Sequence, residues 1–266
     1  AQTVGSIVAA LSGGVNGSAS ARVFVRLISL DNCPPEFASA LTRAANTQNR
    51  IEKKDFASLD PQQERLRSDL LLSFDKEYVF RSGDRTPAPD QGCTLDEATV
   101  SLACAQRDVG LCVQAKREVG KLYDSIEAPP YTLLFNASVS AQRLWYAVEV
   151  SRIVDVALRE QESQKGGKEK LIAIHGNRLI LHVVFARLGI MALNDPSSIL
   201  ADILVQARHE TVDALSDATA QTLKLFPNAY AANVFKNASK CKRLVDAISD
   251  SSASNSGGRL PLLSNL

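Results

Sequence analysis

Ser82-Gly83-Asp84-Arg85-Thr86-Pro87-Ala88-Pro89-Asp90-Gln91-Gly92, followed by Cys93-Thr94-Leu95-Asp96-Glu97, is where this chain changes character. The first part is rich in proline and glycine and has no apolar period, so it reads as a linker. Thr94 and Glu97 stand at the spacing of a capping box, in which each side chain satisfies the other's backbone N–H, so a helix starts at Leu95. Past that point the apolar residues recur every three to four positions. The spacing predicts helices over 95–107, 111–124, 138–163, 168–190, 196–225 and 228–249. The stripe Leu144, Ala147, Val148, Ser151, Val154 and Leu158 marks the buried face of the third.

Before the linker the pattern is mixed. Val4, Ile7, Val8 and Leu11 have helical spacing, and Gly13-Gly14 with Gly17 ends that helix. Arg22-Val23-Phe24-Val25-Arg26-Leu27-Ile28 alternates arginine with β-branched and aromatic residues, the pattern of a strand with one wet face. Pro34-Pro35 opens a second helix to about Ala45. The polar run from Asn46 to Lys54 reads as a loop, and Asp60-Pro61 as an N-cap with proline at the first helical position of a helix to about Leu72. Residues 77–81 form a short strand. Asp195-Pro196 repeats the cap-and-proline device, and Gly166-Gly167 marks a turn between helices.

The fold class that follows is mostly α (α+β): a small N-terminal α/β subdomain over residues 1–92, a helical bundle over 93–250, and a Ser/Asn/Gly-rich flexible tail over 251–266. The chain has 266 residues, enough for one large domain or two ordinary ones. Thirty basic and 29 acidic residues leave a net charge of +1, so any nucleic-acid contact must be a local basic surface. Five scattered cysteines without a CxxC pair fit reduced thiols and a cytoplasmic protein rather than a disulfide framework or a zinc site. No apolar stretch approaches the roughly 18 residues needed to span a bilayer. Ala1-Gln2-Thr3-Val4 already reads as a helix entry, which points to a segment upstream.

Chemistry-bearing residues are sparse. His175 and His182 share a predicted helix but lie about 10 Å apart along its axis, too far for joint metal ligation, and read as core-edge or surface histidines. Arg208-His209-Glu210 reads as a solvated helix face. No Gly-x-Ser-x-Gly elbow, Walker loop or Gly-x-Gly-x-x-Gly turn is present, and no catalytic constellation is visible. Lys236, Lys240, Lys242 and Arg243 make one side of the last helix basic. Asn46-Thr47-Gln48-Asn49 is the most unusual stretch, flanked by Arg43, Arg50, Lys53 and Lys54. Such amides read base edges or nucleotide groups, or knit a loop to its own backbone; chemistry alone favours the second.

Arg43-Ala44-Ala45-Asn46-Thr47-Gln48-Asn49, Asp55-Phe56, Asp60-Pro61 and Gln63 together resemble the AIPR family, abortive-infection phage-resistance proteins of bacteria. In that family an Asn-Gly-Ala-Gln-Thr motif precedes a helix and strand, and Arg-x-Thr-Asn-x-Gln-Asn follows on the next helix end. Ala1-Gln2-Thr3 is similar to the tail of the first motif. Ala45 stands where the family usually has Thr, and Arg50 where Pro is common, so no hydroxyl at 45 is implied. The residues Tyr131 to Phe135 and the long helices also suit the pattern. The order of elements is distantly similar to ParB-like and DGQHR-type domains, some of which bind nucleotides.

The resemblance implies the C-terminal part of an anti-phage defence protein. It implies a ligand pocket of Gln2, Thr3, Arg43, Asn46, Thr47, Gln48, Asn49 and Asp55, with Arg50, Lys53 and Lys54 meeting nucleic acid. It requires no metal or cofactor, a nucleotide being the one small ligand left open, and no membrane. Two other readings stand beside it. In one, the chain is a regulatory or assembly module of a nuclease whose catalytic residues lie upstream; in the other, it is a helical scaffold that forms a homo-oligomer.

Overall fold

The computed structural model describes residues 53–256 and, before them, Ser29, Cys33, Pro34, residues 36–38, Ala40 and Leu41. The helix expected over Val4–Leu11 and the strand expected over 22–28 lie outside the described residues. Of the second expected helix, Phe37, Ala38, Ala40 and Leu41 fall inside and are helical. Contacts divide the chain into two compact units, residues 1–48 and 49–266. All the elements named below belong to the second.

Among the described residues there are twelve α-helices, one 3-10 turn and a two-stranded parallel sheet, so the protein is mostly α with a small α/β part. α1 (Lys53–Ala57) leads into α2 (Pro61–Phe74). Asp60 caps α2 as its sequence predicts, its carboxylate accepting from the Gln62 N–H at 3.0 Å ahead of proline at the first position. Lys53 and Lys54, expected in a loop, are the first turn of α1.

β1 (Glu77–Val79) and β2 (Gly92–Thr94) pair in register, Glu77 with Gly92, Tyr78 with Cys93 and Val79 with Thr94. The second strand comes from residues that the sequence presents as the end of a linker. Gly92 explains why: a Cβ there would sit 2.0 Å from the Glu77 carbonyl oxygen, so only glycine lets the two backbones approach. Composition marks Gly92 as a breaker. Only the pairing shows it to be a strand residue.

The bundle begins at α3 (Leu95–Cys104) with the predicted box: Thr94 Oγ1 accepts from the Glu97 N–H at 3.3 Å, and a Glu97 carboxylate oxygen accepts from the Thr94 N–H at 2.9 Å. α4 (Val109–Arg117) follows, and a 3-10 turn over Val119–Tyr123 replaces the rest of the expected 111–124 helix, because Glu118 is extended. After the single-turn α5 (Tyr131–Leu134), α6 (Ala141–Gln164) runs through the centre. It packs against α2, α3 and the later helices, with its whole predicted stripe buried. Each large apolar side chain buried this way stabilises the fold by about 1.5–3 kcal/mol.

The expected 168–190 helix is two, α7 (Gly167–His175) and α8 (Asn177–Leu188), bent by 70°. Gly176 makes the break: a Cβ there would approach the Phe235 ring to 3.0 Å and the Ile172 carbonyl oxygen to 2.7 Å. His175 and His182 therefore do not share a helix. α9 (Ile190–Asn194) precedes α10 (Leu200–Leu225), which packs against α6 and α8. Asp195 caps a turn at Ser197 rather than α10 itself, which starts four residues later than its Asp-Pro pair suggests because Ile199 holds the N-cap position. The last expected helix is also split, into α11 (Ala231–Phe235) and α12 (Ala238–Ser256). Asn237 between them accepts from the Lys240 N–H and caps α12. α12 runs past the expected end near 249.

Arg152 on α6 fastens the residues around β2 to the bundle. Its guanidinium donates to a Glu97 carboxylate oxygen at 2.8 Å, to Glu149 at 2.8 Å, to the Gly92 carbonyl at 2.8 Å and to the Pro89 carbonyl. It also lies over the Trp145 ring. No single helix among the described residues is long and apolar enough to cross a membrane.

Candidate functional site

Of the residues the sequence singles out for ligand binding, Gln2, Thr3, Arg43, Asn46, Thr47, Gln48, Asn49 and Arg50 lie outside the described residues. Lys53, Lys54 and Asp55 lie in α1, which packs on the 3-10 turn, with Lys54 and Asp55 half-buried. The Lys54 ammonium stands 3.7 Å from an Asp96 carboxylate oxygen, and the other oxygen of Asp96 accepts from the Tyr123 hydroxyl at 2.7 Å. The Asp55 carbonyl accepts from the Ser58 hydroxyl, which closes the turn after α1.

The remaining residues of the family pattern, Asp60 and Gln63, converge on a buried polar chain. The Tyr78 hydroxyl of β1 donates to Gln63 Oε1 at 2.6 Å. Gln63 Nε2 donates to the Tyr131 hydroxyl at 2.8 Å, and Tyr131 donates to Asp60 Oδ2 at 2.6 Å. Gln63, Tyr78 and Tyr131 are buried to within 1%. Burial pushes both phenols up, with the hydrogen bond to Asp60 adding to the effect at Tyr131, so both stay protonated donors. Every donor in the chain has an acceptor, as a polar group excluded from water requires. Arg65 adds a further tie, donating to the Val139 carbonyl at 2.9 Å and the Asn136 carbonyl at 3.3 Å. These contacts lock α2, β1 and α5 together. They involve Tyr78 and Tyr131, which the sequence offers no reason to join to Gln63.

Histidines and thiols serve the core. His182 is buried and its Nδ1 lies 3.0 Å from the Cys104 carbonyl, so it carries the proton there. Burial lowers its pKa and keeps the ring neutral. His209 is exposed on α10, beside the Arg208–Glu160 and Arg187–Glu210 ion pairs. Burial pushes the Cys93 and Cys241 thiols up to about 12, and a hydrogen bond to Cys104 together with burial raises Cys112. None of these three is a thiolate near neutral pH. Among the described residues no group of three His, Cys, Asp or Glu side chains is placed to hold a metal ion.

Among the described residues, two open recesses stand out. One of about 370 Å³ runs along β1 between Arg67, Lys76, Arg81, Glu77 and Asp84. Another of about 200 Å³ lies between α3 and α6, with Arg152 turned to Glu97 and Arg178 to Asp155 across it. Neither presents a nucleophile beside a base.

The described part is thus a helical bundle with a small parallel sheet clamped to it, and its conspicuous polar cluster is structural. The family model described as AIPR protein matches residues 1–90, a span that includes both polar motifs, α1, α2 and β1. Over residues 1–90 the chain is therefore similar to the AIPR family, whose name denotes abortive-infection phage resistance. No curated protein and no solved structure matches the chain.

Proposed function

We propose that the protein acts in bacterial anti-phage defence by abortive infection, in the cytoplasm, and binds nucleic acid or a nucleotide through the amide-rich run Asn46-Thr47-Gln48-Asn49. Gln2, Thr3 and Arg43 are its expected partners in sequence. The AIPR match over residues 1–90 carries this reading, since it spans both the Gln2-Thr3 and the Arg43–Asn49 motifs. Amides supply donors and acceptors together, as reading a base edge needs, and the neighbouring arginines suit phosphate. Asp60 and Gln63 support it differently: their side chains are spent on Tyr131 and Tyr78, so their place in the pattern has a structural explanation. Lys54 reaches a phosphate only by leaving Asp96.

The test replaces Asn46 and Gln48 together by alanine in the complete protein. Phage plaque counts on a producing strain and nucleotide or oligonucleotide binding by the purified protein are then measured. Loss of protection or of binding with an unchanged melting curve supports the reading. Unchanged protection and unchanged binding overturn it.

A further inference from the structure

Several arginines of the bundle are matched by carboxylates: Arg152 by Glu97 and Glu149, Arg187 by Glu210 and Asp217, Arg208 by Glu160. The end of the bundle where α4, α7, α11 and α12 meet is different. There Lys116, Lys168, Lys236, Lys240, Lys242 and Arg243 form no ion pair among the described residues, and three acids of the neighbouring helices are already engaged, Asp155 by Arg178, Glu162 by Lys170 and Glu169 by Lys165. Lys116 is instead held by two neutral acceptors, Asn177 Oδ1 at 2.7 Å and the Ile174 carbonyl at 3.4 Å. The mutual repulsion is felt: partial burial, Arg178 and Lys236 lower the pKa of Lys116, and some burial with Lys116 and Lys236 lowers that of His175.

Aromatic rings are set among these cations. Lys240 Nζ and the Arg243 guanidinium lie 5.6 and 5.3 Å from the centre of the Phe226 ring. Lys168 holds the next residue, donating to the Pro227 carbonyl at 2.7 Å. Four positions beyond Phe226, Tyr230 is 62% exposed, its ring 6.3 Å from that of His175. The exposed side chains around Tyr230 include the amides Asn228, Asn233 and Asn237.

We propose that this end of the bundle binds single-stranded nucleic acid, with Lys116, Lys236 and Lys240 on phosphates and the Tyr230 ring stacked under a base. Cations without carboxylate partners supply the salt-sensitive, sequence-independent attraction, and an exposed ring beside them is the platform on which an unpaired base rests. Exposed amides favour a nucleic acid over a lipid surface, which would want bulky apolar side chains there. The surface shares no residue with the amide-rich run and stands whether or not that run binds a ligand.

The experiment measures binding of a fluorescent oligothymidylate to the complete protein over a range of salt. Wild type is expected to bind, and more weakly as salt rises. The Lys236→Glu/Lys240→Glu variant should bind at least about tenfold more weakly with a shallower salt dependence. Tyr230→Ala should bind about five- to a hundredfold more weakly with the salt dependence kept, as loss of stacking alone requires. In the Asn46→Ala/Gln48→Ala background the Lys236→Glu/Lys240→Glu and Tyr230→Ala losses should keep the same fold-change, so failure of this surface and failure of the amide-rich run are read separately. Lys236 and Tyr230 are exposed, so Lys236→Glu alone and Tyr230→Ala should melt as wild type does and still bind more weakly. Wild type failing to bind, all variants binding equally, or binding only to vesicles containing phosphatidylserine would each overturn the proposal.

Discussion

The Tyr131 hydroxyl donates to an Asp60 carboxylate oxygen at 2.6 Å, joining residues 71 positions apart. Asp60 does two things at once, since its other oxygen caps α2. Tyr131 in turn accepts from Gln63, which accepts from Tyr78, so one helix start is tied to α5 and to the sheet.

Tyr131→Phe should destabilise the protein by about 1–3 kcal/mol, because it leaves the buried Gln63 amide donor and an Asp60 oxygen without their partner while the ring's packing stays. Urea unfolding followed by circular dichroism measures it. A midpoint equal to wild type would mean that the chain of hydrogen bonds does not hold α2 and α5 together.

Gly92→Ala is expected to cost about 3 kcal/mol, since the new methyl would overlap the Glu77 carbonyl and part β1 from β2. Gly83→Ala is the comparison: that linker glycine has open space around it, and only its positive φ of 87° opposes the change, at about 1 kcal/mol. Melting temperatures of the two variants should fall in that order.

His182 predicts a pH effect of definite sign. Its folded pKa is held below the ordinary value near 6.5 by burial, so the unfolded chain takes up the proton first as pH falls. The contribution is fully present above about pH 6.5 and is lost as pH drops from there toward the folded pKa, by up to about 1.4 kcal/mol per pH unit. Unfolding free energies from about pH 7.5 to about 5.5 should show this slope in wild type and a flatter one in His182→Asn, whose amide can still donate to the Cys104 carbonyl. His175 shifts in the same direction, but it is mostly exposed and solvent screens its share. Equal slopes in the two proteins would refute the assignment.

Local patterns in the sequence determine a good part of this protein. The Thr94–Glu97 box, the Asp60-Pro61 start, the stripe of α6 and the Gly166-Gly167 turn are all decided within a few residues, where capping geometry and helical period leave one reading. The AIPR motifs are legible the same way, over the residues the family model matches. Helix breaks were less legible. Gly176 sits inside an unbroken apolar period, and a side chain there is shut out by the Ile172 carbonyl and by the Phe235 ring, far along the sequence.

Tertiary structure alone decided which polar residues meet. Gln63, Tyr78 and Tyr131 carry no mark of their partnership, since hydrogen bonds between distant segments depend on packing that no local period encodes. The same holds for the cations of α4 and α12: a composition nearly balanced in charge gives no hint that one end of the bundle collects lysines that form no ion pair among the described residues. Where charges face one another is set by how helices pack, and that is settled only when the core closes.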